Sequence, residues 1–359
     1  PLLDVFLPWD WVDNEYTAEL IGKVRADAVH ELLINLLKQT SKNPLILVME
    51  DAHWLDSGSW TLLLMMCQQV ENLITVIVTR PIAEPIPLEY KEIQALSKTE
   101  KVILNNLSIA DTLNLVCRRL GVNFLPKQVE DLIIEKSEGN PFFSEELAYV
   151  MRDLGFIEII NGECRLSNKS SQLEIEKLPN TIQGLITSRV DRLSPAQQLT
   201  IKVASVIGRV FSFRTLQDIY PINEDKERIA EHFKVLEGLD LTPLERPDPD
   251  LAYIFKHIIT RDVVYNLMLF SQRRQLHRAV AEWYEKTYAN DLAPYFSYLA
   301  YHWCKVVVDS AIEPKLVWKA IDYLQKAGDQ AVQRYVNQEA IGFFAEALEL
   351  LKTLPNSIE

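Results

Sequence analysis

Between Val24 and Leu37, apolar residues recur at helical spacing: Val29, Leu32, Leu33, Leu36 and Leu37 share one face, with Lys38 and Gln39 just beyond. Asn43-Pro44 stops that helix, because proline lacks a backbone donor and disfavours helical geometry in the residue before it. Leu45 to Met49 is a continuous apolar run of strand length that ends abruptly at Glu50-Asp51. A second helix is predicted from Asp56-Ser57 to Val70. Leu73 to Val78 then makes another strand, apolar except for Thr75 and closed by Thr79-Arg80-Pro81. Two such runs around a helix predict a βαβ unit in a parallel sheet buried on both faces. Both strands end in polar residues at their C-terminal edge, where open α/β sheets bind ligands.

Lys101 to Leu107 has the composition of a third strand. From Ser108 the pattern turns helical, and Ser108 with Asp111 three residues on is similar to a capping box, followed by Leu113 to Leu120. Pro126 opens the next helix and Ser137 to Pro141 closes it; another runs from about Phe142 to Leu154 and stops at Gly155. Phe156 to Ile160 and Glu163 to Leu166, joined by Asn161-Gly162, predict a β-hairpin. Past Pro179 the chain is helical again, with Ser194 as N-cap and Pro195 in the first turn. Leu241 to Phe255, with three prolines and two short apolar patches, suits a small β-wing, and only helices are predicted from Ile258 onward. Gly328, Ala340, Phe344 and Ala347, with Pro355 behind them, match the small and large positions at which the paired helices of a tetratricopeptide repeat touch. Further repeats are expected beyond Glu359.

Composition narrows the class. The chain has 359 residues, 37 Lys and Arg against 50 Asp and Glu, and a net charge of −13, so nucleic acid and anionic lipid are not expected partners. Its length suggests two or three domains, and 48% hydrophobic with 24% charged residues is globular. Cys67, Cys117, Cys164 and Cys304 are far apart and form no CxxC pair, which fits a reduced, cytoplasmic setting. The most apolar run, Leu62 to Cys67, is far short of a membrane span, and the first residues lack the basic region of a signal peptide. A start at Pro1 suggests a piece of something longer.

The strongest chemical constellation is LILVMEDAHWLDSGSW, residues 45 to 60. In nucleotide hydrolases, a strand ending in two acids uses one carboxylate to hold Mg²⁺, usually through water, and a neighbour to orient the attacking water. Glu50 would be on the metal side and Asp51 the catalytic or polarising acid. On strand and acids alone, two solvated acids closing a strand is an equally open reading.

The rest of the chain breaks that tie through resemblance. LVMEDAHWLDSGSW resembles the Walker B segment of the signal-transduction ATPases (STAND) within the AAA+ superfamily, and Thr79-Arg80 resembles their sensor 1. SEGNPFF, residues 137 to 143, is similar to their helical lid segment, with Gly139-Asn140-Pro141 as its Gly-x-Pro; the resemblance implies that Pro141 packs near the adenine. LITSRVDRLS, residues 185 to 194, and Val206 to Arg209 resemble their winged-helix region, while FKHIITRDVVY and RRQLHRAVAEWYE, residues 255 to 265 and 273 to 285, resemble the helices that lead into tetratricopeptide repeats. The resemblance implies an α/β plus all-α fold: a partial P-loop NTPase parallel-sheet core over residues 1–107, a helical lid with hairpin over 108–178, a winged helix over 179–257 and a repeat-like region over 258–359. It implies ATP or ADP with Mg²⁺ as cofactors, and His257 as a phosphate-side residue, with a structural histidine as the alternative. Asn14 to Leu20, Val24 to Asp27 and Glu50 to Trp60 are most like the ATPase region downstream of class III adenylyl/guanylyl cyclase domains of the soluble type. Similar modules also follow protein-kinase domains or precede DNA-binding transcriptional activators of the LuxR type.

One departure is large. A Walker A loop needs glycines whose backbone amides wrap phosphate, followed by a lysine. Only Gly22 precedes a lysine, and Lys23-Val24 follows with no phosphate-loop spacing upstream. The loop is expected upstream of Pro1, or lost from a degenerate module, and this chain alone is expected to hydrolyse ATP slowly or not at all.

Other residues offer less. His53, with Trp54 and Asp56, could position the γ-phosphate side or simply orient its turn. His302 and Cys304 have no further ligand nearby, so zinc is not expected. Arg273, Arg274, His277 and Arg278 suit a solvated helix face, and Trp283, Tyr284, Tyr295, Tyr298, Tyr301 and Trp303 suit helix packing as core. The expected function is a nucleotide switch inside a multidomain signalling protein, partnered by ATP, by its other domains and by a protein bound to the repeats, with a class III cyclase as output. The alternative is a nucleotide-free interaction scaffold.

Overall fold

The computed structural model describes residues 2, 12–40, 43–167, 178–307 and 313–354; Pro355 of the repeat pattern lies outside them. The chain divides into two compact units, Pro1–Val102 together with Asn290–Glu359, and Ile103–Ala289.

In the first unit, helix α1 (Gly22–Thr40) leads to strand β1 (Leu45–Met49), helix α2 (Ser57–Gln69), strand β2 (Leu73–Ile77) and helix α3 (Leu88–Ala95). The two strands pair in parallel, from Leu45 opposite Leu73 to Met49 opposite Ile77, as the apolar runs predict. Alternate residues then face opposite ways. Leu47, Met49 and Ile77 turn toward the buried cluster of Ala52, Trp60, Leu63, Leu64 and Ile93. Ile46, Val48 and Ile74 turn the other way and stay 63%, 52% and 61% exposed. The expectation of a sheet buried on both faces is thus corrected: α2 and α3 cover one face, and no described element covers the other.

Three further helices belong to the same unit: α13 (Phe296–Val307), α14 (Pro314–Gln333) and α15 (Asn337–Thr353), each packed on the next. Gly328 on α14 faces Phe344 on α15, and a Cβ at Gly328 would lie 2.5 Å from the ring. The small and large positions of the sequence pattern therefore meet in space.

The second unit opens with an extended segment. Lys101 to Leu107, which spans the boundary between the two units, forms no strand, which corrects the third-strand expectation: Val102 and Leu104 are 79% and 88% exposed, and the segment belongs to none of the described sheets. Helices α4 (Ile109–Leu120), α5 (Lys127–Ser137) and α6 (Pro141–Asp153) follow, then strands β3 (Ile157–Ile160) and β4 (Glu163–Leu166). Ser108 caps α4 by accepting from the Asp111 amide at 3.2 Å. Asn161 and Gly162 both take positive φ, 52° and 80°, the geometry that a two-residue hairpin turn requires. Helices α7 (Ile182–Val190) and α8 (Pro195–Ile207) come next, the latter with Ser194 and Gln197 in a reciprocal capping box. Strand β5 (Val210–Ser212), helices α9 (Phe213–Ile219) and α10 (Ile229–Gly238), and strands β6 (Leu244–Arg246) and β7 (Ala252–Ile254) build a small antiparallel sheet in the order β5-β7-β6. Helices α11 (Ile258–Asn266) and α12 (Phe270–Thr287) complete the unit. The molecule is a mixed helical protein with small sheets.

Candidate functional site

The sequence-predicted site residues fall into two groups, one in each unit. In the first unit, Glu50 is the residue after β1 and is exposed. Asp51 adopts φ 50° and ψ 37°, a left-handed conformation that Asp tolerates better than most residues. That turn is tied to the neighbouring strand, because the Val78 amide donates to the Met49 carbonyl and the Ala52 amide to the Val78 carbonyl, both at 2.9 Å. Thr79 and Arg80 follow directly, and the Thr79 hydroxyl donates to the Arg80 carbonyl at 2.8 Å. Glu50, Asp51, Thr79 and Arg80 thus leave the C-terminal ends of adjacent parallel strands, at one sheet edge.

The turn continues through a single 3₁₀ turn, Ala52–Trp54, into α2. Asp56 caps that helix by accepting from the Ser59 amide at 2.6 Å. His53 lies against Trp54 with ring centroids 4.8 Å apart and the rings tilted by 46°, and its Nδ1 is buried without a hydrogen-bond partner.

In the second unit, Gly139 takes φ +78°, and a Cβ there would lie 2.4 Å from the Leu107 carbonyl oxygen, so the close approach needs glycine. Its carbonyl accepts from the Leu107 amide at 2.8 Å. Asn140 caps α6 by accepting from the Phe143 amide at 3.0 Å, and Pro141 occupies the first turn, where its missing donor costs nothing. Phe142 lies against His257, with ring centroids 4.1 Å apart, which joins the Gly-x-Pro segment to the start of α11. His257 Nε2 is buried without a partner, and burial, then the neighbouring Lys256 charge, lowers its pKa from 6.5.

Sequence reasoning missed the charged cluster under this segment. Arg119 Nε donates to Glu145 at 2.7 Å, and Lys256 lies 3.9 Å from the other oxygen of Glu145 while pairing closely with Asp240. Arg189 donates to Glu146, and Arg152 and Arg189 each sit 5.1 Å from the centre of the Tyr149 ring. The available signal was the adjacent pair Glu145-Glu146 inside a helix whose residues from Phe143 to Met151 are all buried.

Glu50 and Asp51 offer the oxygen donors that suit a hard divalent cation such as Mg²⁺. Gly22, which precedes Lys23 in the sequence, sits in open space at the start of α1. The remaining candidates lie on helices α12 and α13. His302 and Cys304 are buried on α13, and burial pushes the Cys304 thiol up to about 12, with Glu346 adding to it. Among the described residues, no group of three His, Cys, Asp or Glu could hold a metal ion. His277 pairs with the Tyr265 hydroxyl at 2.9 Å, Arg273 stacks over the Tyr265 ring at 4.7 Å, and Arg278 bonds to Glu282. Of the aromatic set, only Trp303 is fully buried; Trp283, Tyr284, Tyr295 and Tyr298 are half-buried and Tyr301 is exposed, which corrects the reading of the whole set as core. No helix among the described residues is long and apolar enough to cross a membrane.

A family model described as a domain of unknown function, DUF8739, matches residues 110–165. The adenylate cyclase type 10 of Oryctolagus cuniculus is 24% identical over 278 residues, which cover 67% of this chain and 17% of that protein. An uncharacterized protein of Rhizobium meliloti is 22% identical over 345 residues, covering 93% of this chain and 31% of the relative. The chain therefore spans a minor part of the length of the curated relatives it matches. Among solved structures, a signal transduction ATPase with numerous domains carrying a tetratricopeptide repeat sensor, from Pyrococcus horikoshii, aligns with 93% of this chain and 46% of its own at a TM-score of 0.51 and 12% identity. The likeness is one of fold: this chain shares the mixed helical architecture, with small sheets, of a signal-transduction ATPase that carries a helical-repeat sensor.

Proposed function

We infer that this chain is the regulatory, nucleotide-responsive module of a larger signalling protein. The observation that supports this most is the tied acid turn, which holds Glu50 and Asp51 beside Thr79 and Arg80 at the C-terminal edge of a parallel sheet. In this reading Glu50 would hold Mg²⁺, Asp51 would orient the attacking water, and Thr79 and Arg80 would contact the nucleotide. When bound, the metal supplies charge neutralisation at the phosphates. Within the second unit, Gly139, Pro141 and His257 are the nucleotide-contacting group, with residues 108–178 acting as a helical lid and 179–257 as a winged helix. Residues 258–359 are the start of a repeat array that receives a protein partner, and residues 1–107 the C-terminal part of an AAA+ core. The likeness to an adenylate cyclase favours a class III cyclase as the output domain, and the setting is cytoplasmic.

The phosphate-binding loop is supplied in this reading by the region upstream of Pro1. A second reading, a nucleotide-free interaction scaffold, is favoured by the absence of any glycine-lysine loop within the sequence. ATP turnover by the purified 359-residue chain tests the assignment of parts. Slow or no turnover is expected, whereas clear turnover abolished by Glu50→Gln would overturn the view that an essential part lies elsewhere.

A further inference from the structure

The helix that follows the acid turn is held at its first residue by a side chain from far along the sequence. The Ser57 amide donates to Glu339 Oε1 at 3.0 Å, and the Ser57 hydroxyl donates to Glu339 Oε2 at 3.2 Å. One carboxylate, from the first turn of α15, therefore takes both donors of the residue that opens α2. The next residue is Gly58, where a Cβ would lie 3.0 Å from Cγ1 of Val336, so the bare backbone lets the start of α15 come this close. Asp56 serves the same helix end, accepting from the Ser59 amide. Two carboxylates thus share one helix N-terminus, where backbone N–H groups and the helix dipole favour negative charge. One belongs to the acid turn and the other to the C-terminal helices. A cavity of about 430 Å³ flanks the contact, lined by His30, Asp56, Ser59, Gln330, Arg334 and Glu339 among others. This cavity leaves space beside the carboxylate.

We propose that Glu339 is a latch through which the C-terminal helices set the position of the acid turn at Glu50 and Asp51. Its consequence at the nucleotide rests on the function proposed above, but the mechanical claim does not. With Glu339 seated, α2 is fixed at its first residue, and the 3₁₀ turn Ala52–Trp54 is held between that anchor and the Ala52–Val78 bond. With Glu339 withdrawn, the Ser57 amide loses its partner, the Asp56 cap alone holds the helix end, and only Leu55 and Asp56 separate that end from the 3₁₀ turn. A partner that displaces α15 would in this way loosen the residues that carry the acids.

Amide hydrogen exchange on the 359-residue chain without nucleotide tests the latch, using Glu339→Gln and Ser57→Ala. Glu339→Gln keeps the side chain's shape and weakens a charge-assisted bond, and is expected to raise exchange at Ser57 and across residues 52–55 about ten-fold, leaving β1, β2 and α14 unchanged. Ser57→Ala removes only the hydroxyl bond and should give a smaller rise, about two- to three-fold, in the same residues; it decides the matter if Glu339→Gln unfolds the chain. Exchange at residues 52–57 within two-fold of wild type for Glu339→Gln, or a rise confined to Ser57, overturns the proposal. Since no nucleotide is present, a failed ATP-binding measurement leaves this result standing, and a failed latch leaves the nucleotide reading standing.

Discussion

Arg189 reaches both carboxylate oxygens of Glu146 through one nitrogen, at 2.8 and 2.6 Å, and both side chains are almost fully buried. Arg189 also donates to the Leu239 carbonyl, so the pair ties α6 and α7 to the chain end of α10. Burial pushes the Glu146 carboxyl up, and the Arg189 charge pulls it back. Breaking such a pair leaves one buried charge uncompensated, at a cost of about 3–5 kcal/mol, whereas replacing both partners with apolar residues is often neutral or better. Denaturant unfolding is therefore expected to find Glu146→Ala strongly destabilised and Glu146→Leu with Arg189→Met close to wild type. A mild effect of Glu146→Ala would contradict this view of the pair.

Two glycines in neighbouring helices should respond with opposite sign. Alanine is favoured over glycine inside a helix by about 1 kcal/mol. At Gly342, which is exposed with nothing within 4 Å of an added Cβ, Gly342→Ala is expected to stabilise by about 0.5–1 kcal/mol. At Gly328 the added Cβ would press on the Phe344 ring, and overpacking of about 1–3 kcal/mol outweighs the helix gain. Thermal midpoints should rise for the first variant and fall for the second. A rise for both would mean that α14 and α15 do not meet at this point.

Acid should weaken the fold through its buried and half-buried histidines. His257, His30 and His232 all have pKa values lowered from 6.5, with burial the first cause in each. Asp27 and Asp56 act against that shift at His30. The unfolded chain therefore takes up these protons first, and stability is lost as the pH falls below about 6.5. Thermal midpoints measured from pH 7.5 to 5.5 should decline, and His257→Gln should flatten the decline. An unchanged slope in the variant would remove His257 from this account.

Local chemistry made much of the fold legible. Leu45–Met49 and Leu73–Ile77 could be read because runs of strand length, apolar except for Thr75, are closed by Glu50-Asp51 and by Thr79-Arg80-Pro81. Ser108 and Ser194 could be read as caps, and Asn161-Gly162 as a turn, because each uses its own side chain or backbone freedom within four residues. Lys101 to Leu107 has the same apolar look, but a strand exists only where another edge offers a ladder, and composition carries no record of that. The open face of β1 and β2 was missed for a related reason, since a run apolar on both sides does not say what covers it. The Glu146–Arg189 pair spans 43 positions and the Ser57–Glu339 contact spans 282, and no local pattern announces either. The tied turn that places Glu50 beside Thr79 and Arg80 was legible only as two strand ends; the backbone bonds between them required the register.

The central claim is that the acid turn belongs to a nucleotide site whose phosphate loop lies upstream of Pro1. Equilibrium binding of labelled ATP, measured side by side on this chain and on the longer polypeptide that includes the upstream region, tests it most directly. Tight, Mg²⁺-dependent binding by the longer polypeptide, weakened by Arg80→Ala and nearly absent from the 359-residue chain, is the expected result. No nucleotide binding by the longer polypeptide would contradict the account and leave the interaction scaffold as the better reading.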